Sequence, residues 1–233
     1  MGEEGWGWLS KYESYGRAGD SKEDFDIISY ADAKSQIYAD FMHASHAFIF
    51  ARRPDDILWD LYKARGAVLM QMRFDGLLGF PGGLVDPGEN PLQGMNRELE
   101  EEIALNLSLH RLVESDHVVS FVNKKKNIVL HFYGKEVSIE EFKKIELGNL
   151  QASDYGSESM GIIRPPLFTM GDGFRGLPAF LSNNFAGNAR QELLMGLEHF
   201  NLLTSQEVNK AIDSWMDFTS KNQVVKGVTN VDT

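Results

Sequence analysis

The segment GFPGGLVDPGENPLQGMNRELEEEIAL, residues 79–105, constrains the fold of this 233-residue chain more than any other feature. Its first part reads as a strand that ends on two glycines, Gly82 and Gly83, which permit a tight turn and a close approach of the backbone to a ligand. Pro91, directly after the capping residue Asn90, marks the start of a helix. The segment therefore predicts a strand, a loop and a helix in immediate succession.

The helix predicted over 91–105 has two distinct faces. Apolar residues recur at spacings of three and four and predict one buried stripe. These residues are Leu92, Met95, Leu99 and Ile103. Glu98, Glu101 and Glu102 share another face, whereas Glu100 points elsewhere. Because like charges this close repel one another, the three carboxylates either lie in water as a solvated face or surround a cation such as Mg²⁺ or Mn²⁺.

The composition excludes several classes of function. A net charge of −11 argues against a protein that binds nucleic acid mainly through the phosphate backbone, so a DNA duplex is not expected as a partner. The cluster Lys124–Lys126 is a local exception, which reads either as a solvated hairpin tip or as a nucleic-acid contact. The chain has no cysteine, which excludes a disulfide scaffold. We expect no membrane contact and no secretion, because the sequence shows neither an apolar run long enough to span a bilayer nor a secretory signal.

The rest of the chain is predicted to form strands and helices around this unit. Residues 1–27 read as an irregular N-terminal extension, 28–218 as the folded domain and 219–233 as a flexible tail. The elements predicted within the domain are a helix over 28–42, strands over 46–51 and 66–73, a hairpin from DHVVSFV and NIVLHFYGKEV, a helix over 138–147, a strand in SMGIIRPPL, and helices in ARQELLMGLEHFNLL and SQEVNKAIDSWMDF. Because strands dominate the middle without a regular βαβ alternation, we expect an α/β fold with a mixed sheet and helices on its faces.

The 79–105 segment resembles the signature of the Nudix hydrolase family, Gly-x5-Glu-x7-Arg-Glu-U-x-Glu-Glu-x-Gly-U, in which U is apolar. The matching residues are Gly83, Glu89, Arg97, Glu98, Leu99, Glu101, Glu102 and Leu105. The one departure is Ala104, at the family's last glycine, and we expect this small, helix-favouring residue only to tighten the helix end. The resemblance implies an α/β/α sandwich around a mixed sheet.

The resemblance also implies a hydrolase that cleaves a nucleoside diphosphate linked to another moiety, with water and Mg²⁺ or Mn²⁺. Metal ions that bridge the pyrophosphate oxygens neutralise charge, orient the water and lower its pKa. By the resemblance, Glu98 and Glu102 bind metal together with the backbone carbonyl of Gly82. Glu101 is then a further ligand or the base, and Arg97 holds the carboxylates by ion pairs.

Further segments extend the resemblance, over about residues 41–203, to the nucleolar snoRNA-decapping, inosine-diphosphate-hydrolysing branch of the family (Nudix-type motif sixteen). They are HASHAFIFA, VLMQMRFDGLLGFPGG, MNRELEEE, HFYGKEV, MGIIRPPLFTMGDGFRGLPAFL and NARQELL. In that branch, the positions of His46, Arg73 and Phe80 contact the nucleotide, and the position of His117 helps to bind metal. Phe80 either stacks on a base or belongs to the core.

Two residues depart from the pattern of this branch. Glu192 stands where the branch has a substrate-contacting glutamine, and Met195 where it has a metal-binding glutamate. Either Glu192 replaces the missing metal-binding glutamate as a ligand from a neighbouring position, or the substrate preference has changed. The alignment of His117 is also open, because the hairpin after it is longer here, and one of His43 and His46 is expected to be structural.

Three functions follow from these patterns. The first is a metal-dependent pyrophosphohydrolase of capped RNA 5′ ends and of purine nucleoside di- and triphosphates such as IDP and ITP. The second is a pyrophosphatase of free or protein-linked ADP-ribose. The third is a non-catalytic module that binds RNA or protein, which the presence of Glu98, Glu101 and Glu102 disfavours. The resemblance further implies a homodimer in the nucleus, in nucleolus or nucleoplasm, with the cytoplasm as a second location.

Overall fold

In the computed structural model of the chain, the backbone is described over residues 25–228 and the side chains over 25–221. Within this range the strands are β1 (Asp26–Ile28), β2 (Met42–Leu58), β3 (Tyr62–Val68), β4 (Met70–Arg73), β5 (Leu78–Gly79), β6 (Gly82–Leu84), β7 (His117–Asn123), β8 (Ile128–Glu136) and β9 (Ser159–Ile163). The α-helices are α1 (Tyr30–Ala33), α2 (Pro91–Ile103), α3 (Leu107–His110), α4 (Ile139–Gly148), α5 (Leu177–Leu181), α6 (Ala189–His199) and α7 (Ser205–Val228).

The strands form two sheets. The larger sheet has the order β1-β7-β8-β2-β3, and β6 pairs with the first part of β2. Strands β2 and β8 are parallel and the other pairs antiparallel, so this sheet is mixed. The smaller sheet, β5-β4-β9, is antiparallel. Leu69, which lies between β3 and β4, carries the chain from one sheet into the other.

Helices cover both faces of the larger sheet. Along β2, Ala47 and Ile49 face a core that includes Met95 of α2. Phe48 and Phe50 face the opposite core, which also contains residues of α6 and α7. Alternation of this kind is the pattern of a strand that is buried on both sides. The predicted α/β/α arrangement around a mixed sheet is therefore confirmed.

Some predicted elements differ from the structure. In place of a helix over 28–42, the chain forms the short α1 and a 3₁₀ turn, because the Ser35 hydroxyl donates to Asp32 O and competes with helical hydrogen bonding. The strand predicted over 66–73 is divided between β3 and β4. Strand β1 begins inside the predicted extension, and α7 runs beyond residue 218 into the predicted tail. Residues 1–24 and 229–233 lie outside the described part of the chain.

The other predicted elements are confirmed. The hairpin is formed by β7 and β8, the helix after Ser138 by α4, the proline-terminated strand by β9, and the last two helices by α6 and α7. Across the described residues, we find no helix with the length and apolar character needed to cross a bilayer.

Helix α2 begins as its sequence predicts and ends differently. The Asn90 side chain accepts hydrogen bonds from Leu92 N and Gln93 N, and the Gln93 side chain accepts one from Asn90 N, which completes a capping box. The prediction for Ala104 is wrong. This residue does not extend the helix but adopts a left-handed conformation, with φ 51° and ψ 38°. Glycine adopts such a conformation without penalty, whereas a Cβ is strained there.

We expect the substitution Ala104→Gly to stabilise the protein by about 0.5–1 kcal/mol, because it removes the strain of a left-handed residue that carries a Cβ. The measurement is the free energy of unfolding in urea. Ala31→Gly is the matched control, since Ala31 is exposed in the right-handed α1 and the same exchange should destabilise there. A less stable Ala104→Gly variant would contradict the expectation.

Candidate active site

Carboxylates and arginines converge on one cleft of about 550 Å³ where β6 meets α2. Most of the predicted site residues lie in this cleft. They are Arg73, Gly82, Arg97, Glu98, Glu101 and Glu102. Glu100 is exposed and does not line the cleft, as the helical spacing predicted. The cleft is thus built from one face of α2 and from the strand that precedes it.

Gly82 and Gly83 bring β6 directly against two carboxylates. A Cβ on Gly82 would lie 2.0 Å from Ser45 O, and the φ of Gly82, 134°, also requires glycine. A Cβ on Gly83 would lie 2.8 Å from Glu98 Oε1. The Gly82 N–H donates to Glu102 Oε2 at 2.6 Å. A side chain at Gly83 would therefore collide with Glu98, and one at Gly82 would push β6 away from β2.

Arg97 holds the outer carboxylates of the cleft. Its Nη1 donates to Glu98 Oε1 at 2.9 Å and to Glu101 Oε2 at 2.8 Å. Its Nε and Nη2 donate to Glu89, and Nη2 also donates to Leu84 O. These hydrogen bonds, led by those with Glu89, raise the pKa of Arg97 above its usual value and lower that of Glu89. The predicted role of Arg97 in ion pairing is consistent with this geometry.

The two buried acids of the cleft are incompletely compensated. Glu102 is 4% exposed, and burial raises its pKa to about 7, although the Gly82 N–H opposes this shift. Burial likewise raises the pKa of Glu98, against the effect of Arg97. Nearby carboxylates add to both shifts. Negative charge in these positions is therefore costly until a cation enters the cleft.

Two further acids of the cleft, Asp154 and Glu158, escaped the sequence analysis. They precede β9, in a segment that is hydrogen-bonded to the end of α2. Asn149 Nδ2 donates to Glu102 O at 2.8 Å, and Asp154 N donates to Glu101 O at 3.0 Å. Strand β9 then pairs with β4, which brings the segment beside the cleft. No local pattern signals this placement, because it depends on pairing between strands that are far apart in the sequence.

Phe80, which was predicted to contact the nucleotide, lies in the core rather than in the cleft. Phe80 is 3% exposed and packs against Phe48 and Phe132, with ring centroids 5.6 and 5.2 Å away. This placement corresponds to the alternative in which Phe80 belongs to the core. The cleft instead contains Phe74, which is 47% exposed and has the Arg73 guanidinium carbon 5.5 Å from its ring centroid. Phe74 could have been identified from the sequence, because it is an aromatic residue directly after the predicted Arg73.

His46 and Glu192, both predicted to bind substrate, are hydrogen-bonded to each other beside the cleft. His46 Nδ1 lies 3.1 Å from Glu192 Oε1, and the Glu192 side chain is fully buried. Strand pairing places His46 opposite Gly82. Burial lowers the pKa of His46, but the Glu192 carboxylate, with a contribution from Glu102, acts in the opposite direction, and the pKa is raised overall. His43 is the structural histidine, since its ring nitrogens contact His131 and the Tyr38 carbonyl.

His117, which was predicted to bind metal, does not lie with the carboxylates of the cleft. Its Nε2 lies 2.8 Å from Ser120 Oγ, and its ring centroid is 4.1 Å from that of Tyr30. Strands β8 and β2 lie between β7, which carries His117, and β6, which carries Gly82. Burial lowers the pKa of His117 to about 4, and Lys34 acts in the same direction, so its imidazole is neutral at pH 7.

The donor set of the cleft fits a divalent cation in chemistry. Glu98, Glu101 and Glu102 supply hard oxygen ligands, and the buried charge on Glu98 and Glu102 calls for compensation. Among the side chains described, no three His, Asp or Glu residues stand ready to hold an ion as they are placed. Arg97 occupies one oxygen each of Glu98 and Glu101. We therefore expect these carboxylates to turn away from Arg97 when an ion binds.

The chain is similar to several known proteins. A family model described as Nudt16-like, U8 snoRNA-decapping enzyme-like, matches residues 43–203. The U8 snoRNA-decapping enzyme of Homalodisca vitripennis is 48% identical over 181 residues, which cover 78% of this chain and 96% of that protein. The Tudor-interacting repair regulator protein of Gallus gallus is 40% identical over 172 residues, 73% of this chain and 53% of that protein. Among solved structures, a mutT/nudix family protein from Listeria innocua is 17% identical, with a TM-score of 0.46, over 69% of this chain and 94% of that one.

We expect Glu102→Gln to stabilise the metal-free protein at pH 8 by about 1–3 kcal/mol. The pKa of Glu102 is about 7 in the folded state, above its ordinary 4.5, so the folded protein binds more protons than the unfolded chain between these values. The stability that this proton provides is fully present below pH 4.5 and lost as the pH rises through 7. Glutamine is neutral at every pH and removes that loss.

The measurement is urea unfolding of both proteins at pH 4.5 and pH 8 in the presence of a chelator. The two should have similar stability at pH 4.5 and differ at pH 8. Glu100→Gln is the matched control, because Glu100 is exposed and outside the cleft. An equal effect of the two substitutions at pH 8 would refute the role of burial.

Proposed function

Because the chain belongs to the Nudt16-like family of U8 snoRNA-decapping enzyme-like proteins, we propose that it cleaves the phosphoanhydride of capped RNA 5′ ends. As a member of this family it is a Nudix hydrolase that acts on phosphoanhydrides. We extend the proposal to purine nucleoside di- and triphosphates such as IDP and ITP, with Mg²⁺ or Mn²⁺ as the cofactor. These substrates share a pyrophosphate beside a nucleoside, which is the chemical group that the cleft must accommodate.

The observation that carries the proposal is the presence of three neighbouring signature acids in one cleft. Glu98, Glu101 and Glu102 lie together, and the raised pKa of Glu102 marks charge that the protein alone leaves uncompensated. Perturbed carboxyl groups in a cleft are typical of catalytic sites. A divalent ion bound there would neutralise the pyrophosphate and lower the pKa of the attacking water.

Each residue of the cleft has a role in this proposal. Glu98 and Glu102, together with the Gly82 carbonyl, hold the cation. Glu101, which is the most exposed of the three signature acids, is a further ligand or the base that accepts a proton from water. Arg97 keeps the outer acids in place when no ion is bound. Arg73, at the end of β4, provides a guanidinium for phosphate oxygens.

Two other functions compete with this one. Hydrolysis of ADP-ribose, free or protein-linked, uses the same acids and differs only in the group attached to the pyrophosphate. A non-catalytic binding module is the other alternative, and the similarity to a Tudor-interacting repair regulator protein gives it a concrete form. The intact acids favour catalysis, since a binding module has no need of a buried carboxylate with a raised pKa.

Turnover of a capped RNA, IDP, ITP and ADP-ribose with Mg²⁺ and with Mn²⁺ tests the proposal. We expect Glu102→Gln to lower kcat/KM by about a thousandfold or more, because charge stabilisation at the reacting phosphate is lost. Glu100→Gln, which changes the neighbouring glutamate outside the cleft, should stay within about twofold of the unaltered protein. If the protein binds RNA but releases no product from any of the four compounds, the result would point to the binding module instead.

We also propose that the protein acts as a homodimer in the nucleus, with the cytoplasm as a second location. The nuclear location rests on similarity to snoRNA-decapping enzymes. The turn between β2 and β3 supports the dimer, because Ile57, Trp59 and Leu61 are 61%, 71% and 72% exposed. Trp59 also has a positive φ of 52°, which is unusual for a bulky residue and marks a turn held in a costly conformation. Such a turn offers an apolar surface to a second copy.

Light scattering tests the dimer. We expect a mass of twice that of the chain, and Trp59→Ser should shift the protein toward the monomer because it removes the largest exposed apolar side chain of the turn. Leu109→Ser is the matched control, since Leu109 is 68% exposed but lies in α3. A monomeric unaltered protein would refute the proposal.

A further inference from the structure

Four large side chains with apolar surface are exposed around β9, the outer strand of the smaller sheet. Leu147 is 75% exposed, Leu150 is 58% exposed, and Tyr155 and Met160 are each 41% exposed. The first three line a groove of about 330 Å³ beside the strand. Single exposed apolar residues are common on protein surfaces, whereas several that share one groove mark a place where another molecule binds.

One edge of β9 has no partner strand. Strand β4 pairs with one side of β9, and within the part of the chain that the structure describes no strand pairs with the other side. The turn before β9 covers only its first residue, since Gly156 N donates to Ser159 O at 2.9 Å. A Cβ added to Gly161 would meet no atom within 4 Å, so the space beside the middle of the strand is open. The backbone groups of an open edge are a template for a further strand.

The groove and the open edge belong to one surface. Gly161 and Ile162 of β9 line the groove, together with Leu147 of α4 and with Leu150 and Tyr155 of the segment that follows α4. An extended chain that pairs with β9 has every second side chain on the same face, so apolar residues at alternate positions would enter the groove. Backbone pairing combined with pockets for alternate side chains is a recurring mode of peptide recognition.

The charges around the groove differ between the two ends of β9. Asp154 and Glu158 precede the strand, and among the side chains described neither has a lysine or arginine within ion-pair distance. At the other end, Arg164 is hydrogen-bonded to Glu146, and the exposed Lys143 lies one helical turn before Glu146. The start of β9 is therefore negative, whereas the acid at its end is already compensated. A segment that lies antiparallel to β9 has its C-terminal end beside Glu158, where a basic residue is favoured.

We propose that β9 binds an extended peptide segment of a partner protein as an additional antiparallel strand. The segment has apolar residues at alternate positions, an acidic residue at its N-terminal end and a basic residue at its C-terminal end. The antiparallel direction follows from the greater stability of antiparallel pairing per residue. The bound segment lies against the residues that carry Asp154 and Glu158, which line the cleft, so the partner is held next to the active site.

Fluorescence anisotropy of labelled, end-blocked peptides with the full-length protein tests the surface. We expect saturable binding of the peptide EVTVTVK, whose valines alternate with threonines. The peptide KVTVTVE has the same composition with the end charges exchanged, and it should bind at least about threefold more weakly. A form of EVTVTVK with methylated backbone nitrogens at its five central residues should not bind, because it keeps the side chains but loses the N–H groups that pair with β9.

Variants of the protein locate the bound peptide. Leu147→Ser and Leu150→Ser should each weaken the binding of EVTVTVK about tenfold, because an apolar side chain that the peptide covers is lost. Leu109→Ser is the matched control and should leave the affinity unchanged, since Leu109 is 68% exposed but lies in α3. Glu158→Gln should reduce the difference in affinity between EVTVTVK and KVTVTVE, because it removes one of the two charges that distinguish the ends of β9.

Several results would overturn the proposal. Absence of saturable binding, or binding that backbone methylation leaves unchanged, would exclude pairing of the peptide with β9. Equal affinity of EVTVTVK and KVTVTVE for the unaltered protein would exclude the antiparallel segment with these end charges. Light scattering of Leu150→Ser provides the last test, because a lower mass than that of the unaltered protein would assign the groove to a second copy of this chain. None of these measurements depends on turnover, so they hold whether or not the protein hydrolyses the proposed substrates.

Discussion

One guanidinium surrounded by carboxylates is the interaction on which the site depends. Arg97 reaches Asp86, Glu89, Glu98 and Glu101 from within the helix that carries two of them. A single positive charge cannot neutralise four negative ones, but it can hold them in fixed positions. The helix tolerates its crowded acids for this reason, and the repulsion that remains favours binding of a cation.

The carboxylates of the cleft differ in how far their negative charge is compensated, and this difference gives the cleft its chemistry. The outer acids have Arg97 and solvent, whereas Glu102 lies deeper and accepts hydrogen bonds from Gly82 N and Gln71 Nε2. Its charge is the least stable of the set in the metal-free protein. The glycines of β6 make this arrangement feasible, because they allow the backbone to approach where a side chain would exclude it. The buried charge of Glu102 thereby lowers the stability of the folded, metal-free protein at the place where the proposed function requires a carboxylate.

The sequence was informative where several local signals agreed. For α2, the cap, the proline and the apolar period all indicated the same helix, and its acids lie where the spacing put them. It was uninformative where long-range pairing decides, as for Asp154 and Glu158, or where burial does, as for Phe80. The prediction for Ala104 was wrong for another reason. Alanine has a high helix propensity, but the position after α2 requires a left-handed backbone, and this geometry outweighed the propensity.

The segment that carries Asp154 is attached to α2 through the carbonyl oxygens of Glu101 and Glu102. Three groups donate to them, namely Asn149 Nδ2, Ser153 Oγ and the backbone amide of Asp154, so both acceptors and one donor are main-chain groups. Main-chain anchoring of this kind is largely indifferent to side-chain identity. Residues of this segment whose side chains make no anchoring hydrogen bond, in contrast to Asn149 and Ser153, can therefore be exchanged while the segment keeps its place over the acids. Substrate range can accordingly drift by substitution in this loop while the hydrolytic centre stays intact.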